Sequence, residues 1–271
     1  GAWGLTAVTG LLTPDAFPDS NDTWQSRSYG SVDEDTFRSF VETNARRQQN
    51  LDFVLLGRGP DLKIPEGVNR EDLMDEVHRT VRYMSKSISS QEEVKSLWTS
   101  LHIGMLLEND EIRRYDLAES AAAGIVMGGF PQRARDLAEA VLVDSTEFAP
   151  SPASSRAWLA FADTYQRCQL PEDAVTGLLA AVSSGSDVSW PASLAYTAHR
   201  TASRVFRDLG NHELSLKHVE ACRDITRNAG VSDRTEDYIE QIEISVKLQQ
   251  LREHTSGRED LKDRYRELCA K

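Results

Sequence analysis

Apolar residues recur along most of this chain at intervals of three and four, the spacing that stacks side chains on one side of an α-helix. Phe37, Phe40 and Val41, then Leu51, Val54 and Leu55, carry that period up to Gly57. Ser31-Val32-Asp33-Glu34 has the S-x-x-E form of a capping box, so a first long helix or helix pair is predicted there. Gly57-Arg58-Gly59-Pro60, with Pro65 and Gly67 after it, predicts a loop. Leu73, Val77 and Val81 then form a stripe in a segment with an acidic start and a basic end. A second box, Ser90-Gln91-Glu92-Glu93, precedes Val94, Leu97, Trp98, Leu101 and Met105 and predicts another helix. Only 52–56 alternates with period two, a run too short and isolated to build a sheet. From Gly1 to about Gly30 no period is sustained; Pro14, Pro18, four glycines and many small polar residues predict an arm or irregular cap.

The later half repeats itself. Ala162 and Tyr165 are followed by Ala174, Leu178 and Ala181, with Trp158 and Phe161 just before on the same helix. The same ladder occurs upstream as Ala122, Ile125, Ala134, Ala138 and Val141, and downstream as Ser203, Phe206, Ser215, Val219 and Cys222. The copies lie 40 and 41 residues apart, with Gly129, Gln169 and Gly210 at the equivalent turn. Small residues let two antiparallel helices approach closely, and the large one fills the groove between them. A single such hairpin leaves a face unburied, so neighbours must stack.

The ladder resembles the tetratricopeptide repeat. In the middle copy Trp158, Phe161-Ala162, Tyr165, Ala174, Leu178 and Ala181 fall where that family has its Trp, Leu-Gly, Tyr, Ala, Phe and Ala, and Leu209-Gly210-Asn211-His212-Glu213 is close to the family's turn. The period exceeds the family's usual length of about 34, the first copy has no Trp or Tyr at those places, and Pro171 stands where an aromatic is common. The pentatricopeptide repeat is a near relative in spacing. The resemblance spans about Tyr115 to Gly230 and implies an all-α fold, a right-handed superhelix of antiparallel helical hairpins. Four blocks follow: an irregular N-terminal arm over 1–30, N-terminal helices over 31–110 that form degenerate hairpins or a cap, repeats over 111–230, and capping helices over 231–271. The last block rests on Tyr238, Ile239, Ile242, Val246 and Leu251, then on Leu261, Tyr265 and Leu268.

Charge narrows the function. The formal net charge is −12, so a phosphate backbone meets general repulsion and nucleic acid is disfavoured as a partner. No stretch approaches the roughly 20 apolar residues that span a bilayer, so membrane insertion is not expected. Cys168, Cys222 and Cys269 lie far apart without a C-x-x-C pair and read as reduced thiols, with Cys222 on a packing face. The expected compartment is the cytoplasm, or an organelle matrix if a transit peptide has been removed. Asn21-Asp22-Thr23 is a glycosylation triplet of little weight.

Chemistry-bearing patterns are sparse. The six histidines have no zinc-ligand spacing and read as structural, His199 and His212 at packing or turn positions. No nucleophile elbow or phosphate loop is present. No enzymatic activity, metal or organic cofactor is therefore expected. Trp98 and Trp158 read as core, while Trp190 divides between core and binding anchor.

The one suggestive polar feature is Arg200, Arg204 and Arg207, which share a stripe of the first helix of the third copy. In the resembled family that stripe lines the concave surface, and three guanidinium groups there would hold a peptide carboxylate or another anion. The alternative is pairing with Asp163, Glu172 or Asp173 of the neighbouring copy, or plain solvation. The expectation is a non-catalytic scaffold that takes a protein or peptide segment, acidic in part, in its groove. The alternatives are an organellar pentatricopeptide-like RNA-associated protein and a sensor or regulatory segment of a larger enzyme or receptor.

Overall fold

The structure is a computed structural model that describes residues 10–20, 32–48, 59–145, 150–185, 189–230 and 233–254. Among the described residues all regular structure is helical. The helices are α1 (Glu34–Arg47), α2 (Arg70–Met84), α3 (Gln91–Leu107), α4 (Glu111–Met127), α5 (Pro131–Ser145), α6 (Pro152–Arg167), α7 (Pro171–Gly185), α8 (Ala192–Asp208), α9 (His212–Ala229) and α10 (Asp233–His254). Two short 3-10 turns, Gly10–Leu12 and Pro14–Ala16, precede them.

Most helix starts are written locally. Ser90 and Glu93 close the expected reciprocal box at α3, and Asn69, Asp110 and Asn211 cap α2, α4 and α9 through their side-chain oxygens. Pro152 opens α6, where a missing N–H does no harm, behind a cap made by Ser151. At α1 the cap is Asp33, whose carboxylate accepts from the Thr36 amide at 2.9 Å. The box expected from Ser31 is thus displaced by two residues, and Ser31 itself lies outside the described residues. So do 51–56, Asn21-Asp22-Thr23 and the final segment with Leu261, Tyr265 and Leu268.

The three equivalent turns share one backbone device. Gly129, Gln169 and Gly210 all have positive φ, at 89°, 62° and 75°. In the first and third turns the next amide reaches back five residues, Phe130 to the Ile125 carbonyl at 3.0 Å and Asn211 to the Phe206 carbonyl at 2.8 Å. That is the αL helix stop that turns the chain sharply and frees it to start the next helix. The small notch residues Ala122, Ala162 and Ser203 are all buried, as are Ala134, Ala174 and Ser215 across the turns.

The chain divides into two compact units, 26–169 and 1–25 with 170–271. The division therefore falls inside the block 111–230, at the turn of the middle copy. In the first unit α2, α3 and α4 pack on one another, α4 packs on α5 and α6, α5 packs on α6, and α1 rests on α3. Close approach is made by glycine: a Cβ at Gly124 of α4 would lie 2.5 Å from the Ser85 Cα at the end of α2. The core runs from Phe40 through Leu73, Leu97, Leu101 and Tyr115 to Leu137. Buried Asn44 ties an extended segment to it, with its amide on the Phe40 and Lys63 carbonyls and its oxygen on the Lys63 N–H at 2.8 Å.

In the second unit α8 packs against α7, α9 and α10, and α9 against α10. A cluster of Tyr196, Val219, Cys222, Ile239, Ile242 and Val246 joins the last three helices. The turn at Gly10–Leu12 rests on α7 and the turn at Pro14–Ala16 on α9.

Candidate peptide-binding surface

The arginine stripe of α8 faces the last helix. Arg204 donates to the Tyr238 hydroxyl and its guanidinium carbon stands 5.7 Å from the centre of that ring. Arg207 donates to Asp208 at 2.8 Å and to the Ser245 hydroxyl at 3.1 Å, while Gln249 donates to its carbonyl. Arg200 is half-buried and acts electrostatically on Tyr196 and the Cys222 thiol. Burial pushes that thiol up to about 12 against the pull of Arg200, Arg204 and Arg223, so Cys222 is an inert packing group.

The matching stripe of the upstream copies is also a seam between helices. Glu119 of α4 is buried and receives Arg156 of α6 at 2.6 Å, and Arg156 also holds Asp116 at 2.6 Å. Asp163, fully buried, pairs with Arg167 of its own helix at 2.5 Å. Sequence reasoning missed Arg156. Its only signal was a cation one repeat length downstream of the Asp116–Glu119 pair, and charge alone does not separate a buried pair from a solvated one.

A different face of the same hairpin carries the N-terminal arm. Leu12 and Phe17 are the buried apolar anchors among its described residues, at 0% and 5% exposure. Phe17 sits between three rings: Trp190 edge-on at 6.2 Å, His199 at 4.6 Å and His218 at 5.1 Å. The main chain is gripped as well. His218 of α9 meets the Leu12 carbonyl at 2.8 Å, and the Trp190 amide and Ser189 hydroxyl both donate to the Asp19 carbonyl. Trp190, fully buried, is therefore core and arm contact at once.

The hydrogen-bond chain assigns the protons. A carbonyl only accepts, so His218 Nε2 carries hydrogen and its Nδ1 in the neutral ring bears the lone pair. His199 Nδ1, 2.9 Å from that atom, must then donate, which leaves His199 Nε2 as a bare acceptor. Burial holds both rings neutral, pushing His199 down to about 3 with help from its neighbour, and His218 down to about 4 against the opposing Leu12 bond. Neither is poised for proton transfer near neutral pH.

Beside the arm lies a cleft of about 550 Å³, with Thr13, Asp15, Phe17 and Asp19 on one wall and Ala195, His199, Glu220 and Asp224 on the other. Among the described residues no group of three or more His, Cys, Asp or Glu side chains is arranged to hold a metal ion, and no helix is long and apolar enough to cross a membrane. What this surface can do chemically is bind an extended segment by apolar anchors and main-chain hydrogen bonds. Neither the family models, the curated proteins nor the solved structures contain a match to this chain.

Proposed function

We propose that this chain is a non-catalytic helical-repeat scaffold, a right-handed superhelix of hairpins, that holds a peptide segment of a protein partner on the face of α8 and α9. One observation carries the reading: that face already holds an irregular segment in the manner of a bound peptide, through Leu12, Phe17 and the carbonyls of Leu12 and Asp19. Anchors buried in pockets and main-chain bonds to fixed donors are the two means by which groove proteins take extended ligands. Packing of α2 on α3 and α4, of α4 on α5 and α6, and of α8 on α9 and α10 supports stacked hairpins. The formal charge of −12 favours protein over RNA as the partner. An anion-gripping role for Arg200, Arg204 and Arg207 belongs to this proposal only where α10 is displaced, since two of the three are engaged with it.

The test uses the full chain carrying Leu12→Asp and Phe17→Asp, which undocks the arm, and a labelled synthetic peptide of residues 10–20. The variant is expected to bind the peptide in trans, and the wild type to bind it more weakly because its tethered arm competes at high effective concentration. A variant that keeps wild-type helix content yet leaves the peptide unbound overturns the reading.

A further inference from the structure

The shape of the docked arm is encoded within the arm. Leu12-Thr13-Pro14-Asp15-Ala16-Phe17-Pro18 places one proline two residues after the first anchor and another directly after the second. A proline steers the residue before it into extended backbone, and Thr13 and Phe17 hold ψ of 156° and 142°. Between them Pro14 opens a 3-10 turn, where its missing N–H does no harm. The Ala16 and Phe17 amides close that turn on the Thr13 and Pro14 carbonyls at 3.0 and 3.1 Å. All of these constraints are local to the segment, and they set its anchors five residues apart.

The surface under the arm discriminates separately. Trp190 and His218 meet Phe17 at interplanar angles of 85° and 73°, with His199 tilted on the same ring. Edge-to-face contacts of this kind favour an aromatic ring over an aliphatic chain of similar size. Leu12 is fully buried, and its turn rests on α7. The donors on His218, Trp190 and Ser189 address the carbonyls of Leu12 and Asp19, a group that every residue carries. Asp15 and Asp19 are exposed, so their carboxylates stand apart from this recognition.

We propose that this surface takes partner segments of one sequence class: an aliphatic residue, any residue, proline, two further residues, an aromatic residue and proline. The inference rests on the peptide-binding reading above and adds the identity of the ligand. The aliphatic residue takes the place of Leu12 and the aromatic one that of Phe17. The two prolines reduce the conformational entropy lost on binding. The arm is the chain's own copy of this class, so arm and partner segment exclude each other.

The test titrates labelled peptides of residues 10–20 into the full chain undocked by Leu12→Asp and Phe17→Asp. The peptides are the native sequence and forms carrying Leu12→Ala, Phe17→Leu, Pro14→Ala with Pro18→Ala, or Asp15→Asn with Asp19→Asn. Affinity is expected to fall about tenfold or more for Leu12→Ala and about three- to tenfold for Phe17→Leu. Loss of both prolines is expected to weaken binding about four- to thirtyfold, and the paired Asp changes to alter it by no more than about twofold. A second arrangement avoids the aspartate variant: with Pro14→Ala and Pro18→Ala in the tethered arm of an otherwise wild-type chain, the native peptide should bind tighter, by up to the same factor as the proline loss. If the native peptide binds and neither Phe17→Leu nor the proline changes weaken it, the sequence class falls and the peptide-binding reading stands. If neither the undocked chain nor the proline variant takes the native peptide, both fall.

Discussion

His199 and His218 share one proton across 2.9 Å between their Nδ1 atoms, and the direction of that bond is dictated from outside the pair by the Leu12 carbonyl. Both rings lie against apolar groups, His199 tilted on Phe17 and His218 stacked on Phe206. Their folded values of about 3 and about 4 lie below the ordinary 6.5 because charge is expelled from that setting. The unfolded chain therefore binds more protons below 6.5. The stability these rings contribute is fully present above 6.5 and is lost as the pH falls toward 4, by about 1.4 kcal/mol per pH unit for each ring. Denaturant midpoints measured from neutral to mildly acidic pH should fall, and a His199→Gln, His218→Gln variant should fall less steeply over the same range. Parallel slopes would contradict this.

The Arg156 bridge should be costly to break on one side. Arg156→Leu removes the guanidinium that buried Glu119 shares with half-exposed Asp116, and breaking one side of a buried pair costs up to about 3–5 kcal/mol. Adding Glu119→Leu to the first change should recover part of the loss, because both ends of the buried contact are then apolar. Urea unfolding of the single and double variants reads this directly; a double variant less stable than the single one would count against it.

The three equivalent turns allow a matched comparison of backbone strain. Gln169 holds φ 62° with a side chain, where Gly129 and Gly210 hold similar angles without one. A Cβ at Gly129 would meet nothing within 4 Å, so any penalty there is conformational and not steric crowding by neighbours. Gln169→Gly is expected to stabilise by up to about 1 kcal/mol, and Gly129→Ala to destabilise by about 1 kcal/mol. Thermal melts with shifts in the opposite directions would refute the shared turn.

Gly124 tests crowding in turn. Alanine there drives a methyl into the Ser85 backbone, which cannot swing aside, whereas at Gly104 the obstacles are side-chain atoms of Leu117 and Val77. Overpacking penalties run to about 1–3 kcal/mol, and Gly124→Ala is expected at the upper end, above Gly104→Ala. Calorimetric melting of both variants gives the order.

Charge reversal at Arg200, Arg204 and Arg207 should loosen α10. Glutamate at 204 and 207 loses the Tyr238 and Ser245 contacts, so limited proteolysis is expected to cut within 233–254 in the triple variant first. An unchanged cleavage pattern would show that the apolar cluster around Ile239 and Val246 suffices to hold the helix.

How much of this was legible along the chain differs from element to element. The helices around Val94–Met105 and the turns at Gly129, Gln169 and Gly210 were readable because cap chemistry, a three-to-four period and αL demand are local: each is decided within about one turn of backbone. The Ser31 box failed at the same scale, where Asp33 offered a nearer and charged acceptor. Tertiary structure alone decided which surface each side chain met. The stripe of Arg200, Arg204 and Arg207 has the periodicity of an exposed face, yet two of its members close on α10. The aperiodic arm contributes Leu12 and Phe17 to the same hairpin from nearly 200 residues away along the chain, with His218 bonding across 206 positions. Periodicity reports how a segment orders its own side chains, and packing depends on which distant segments reach them; no local pattern carries that second kind of information.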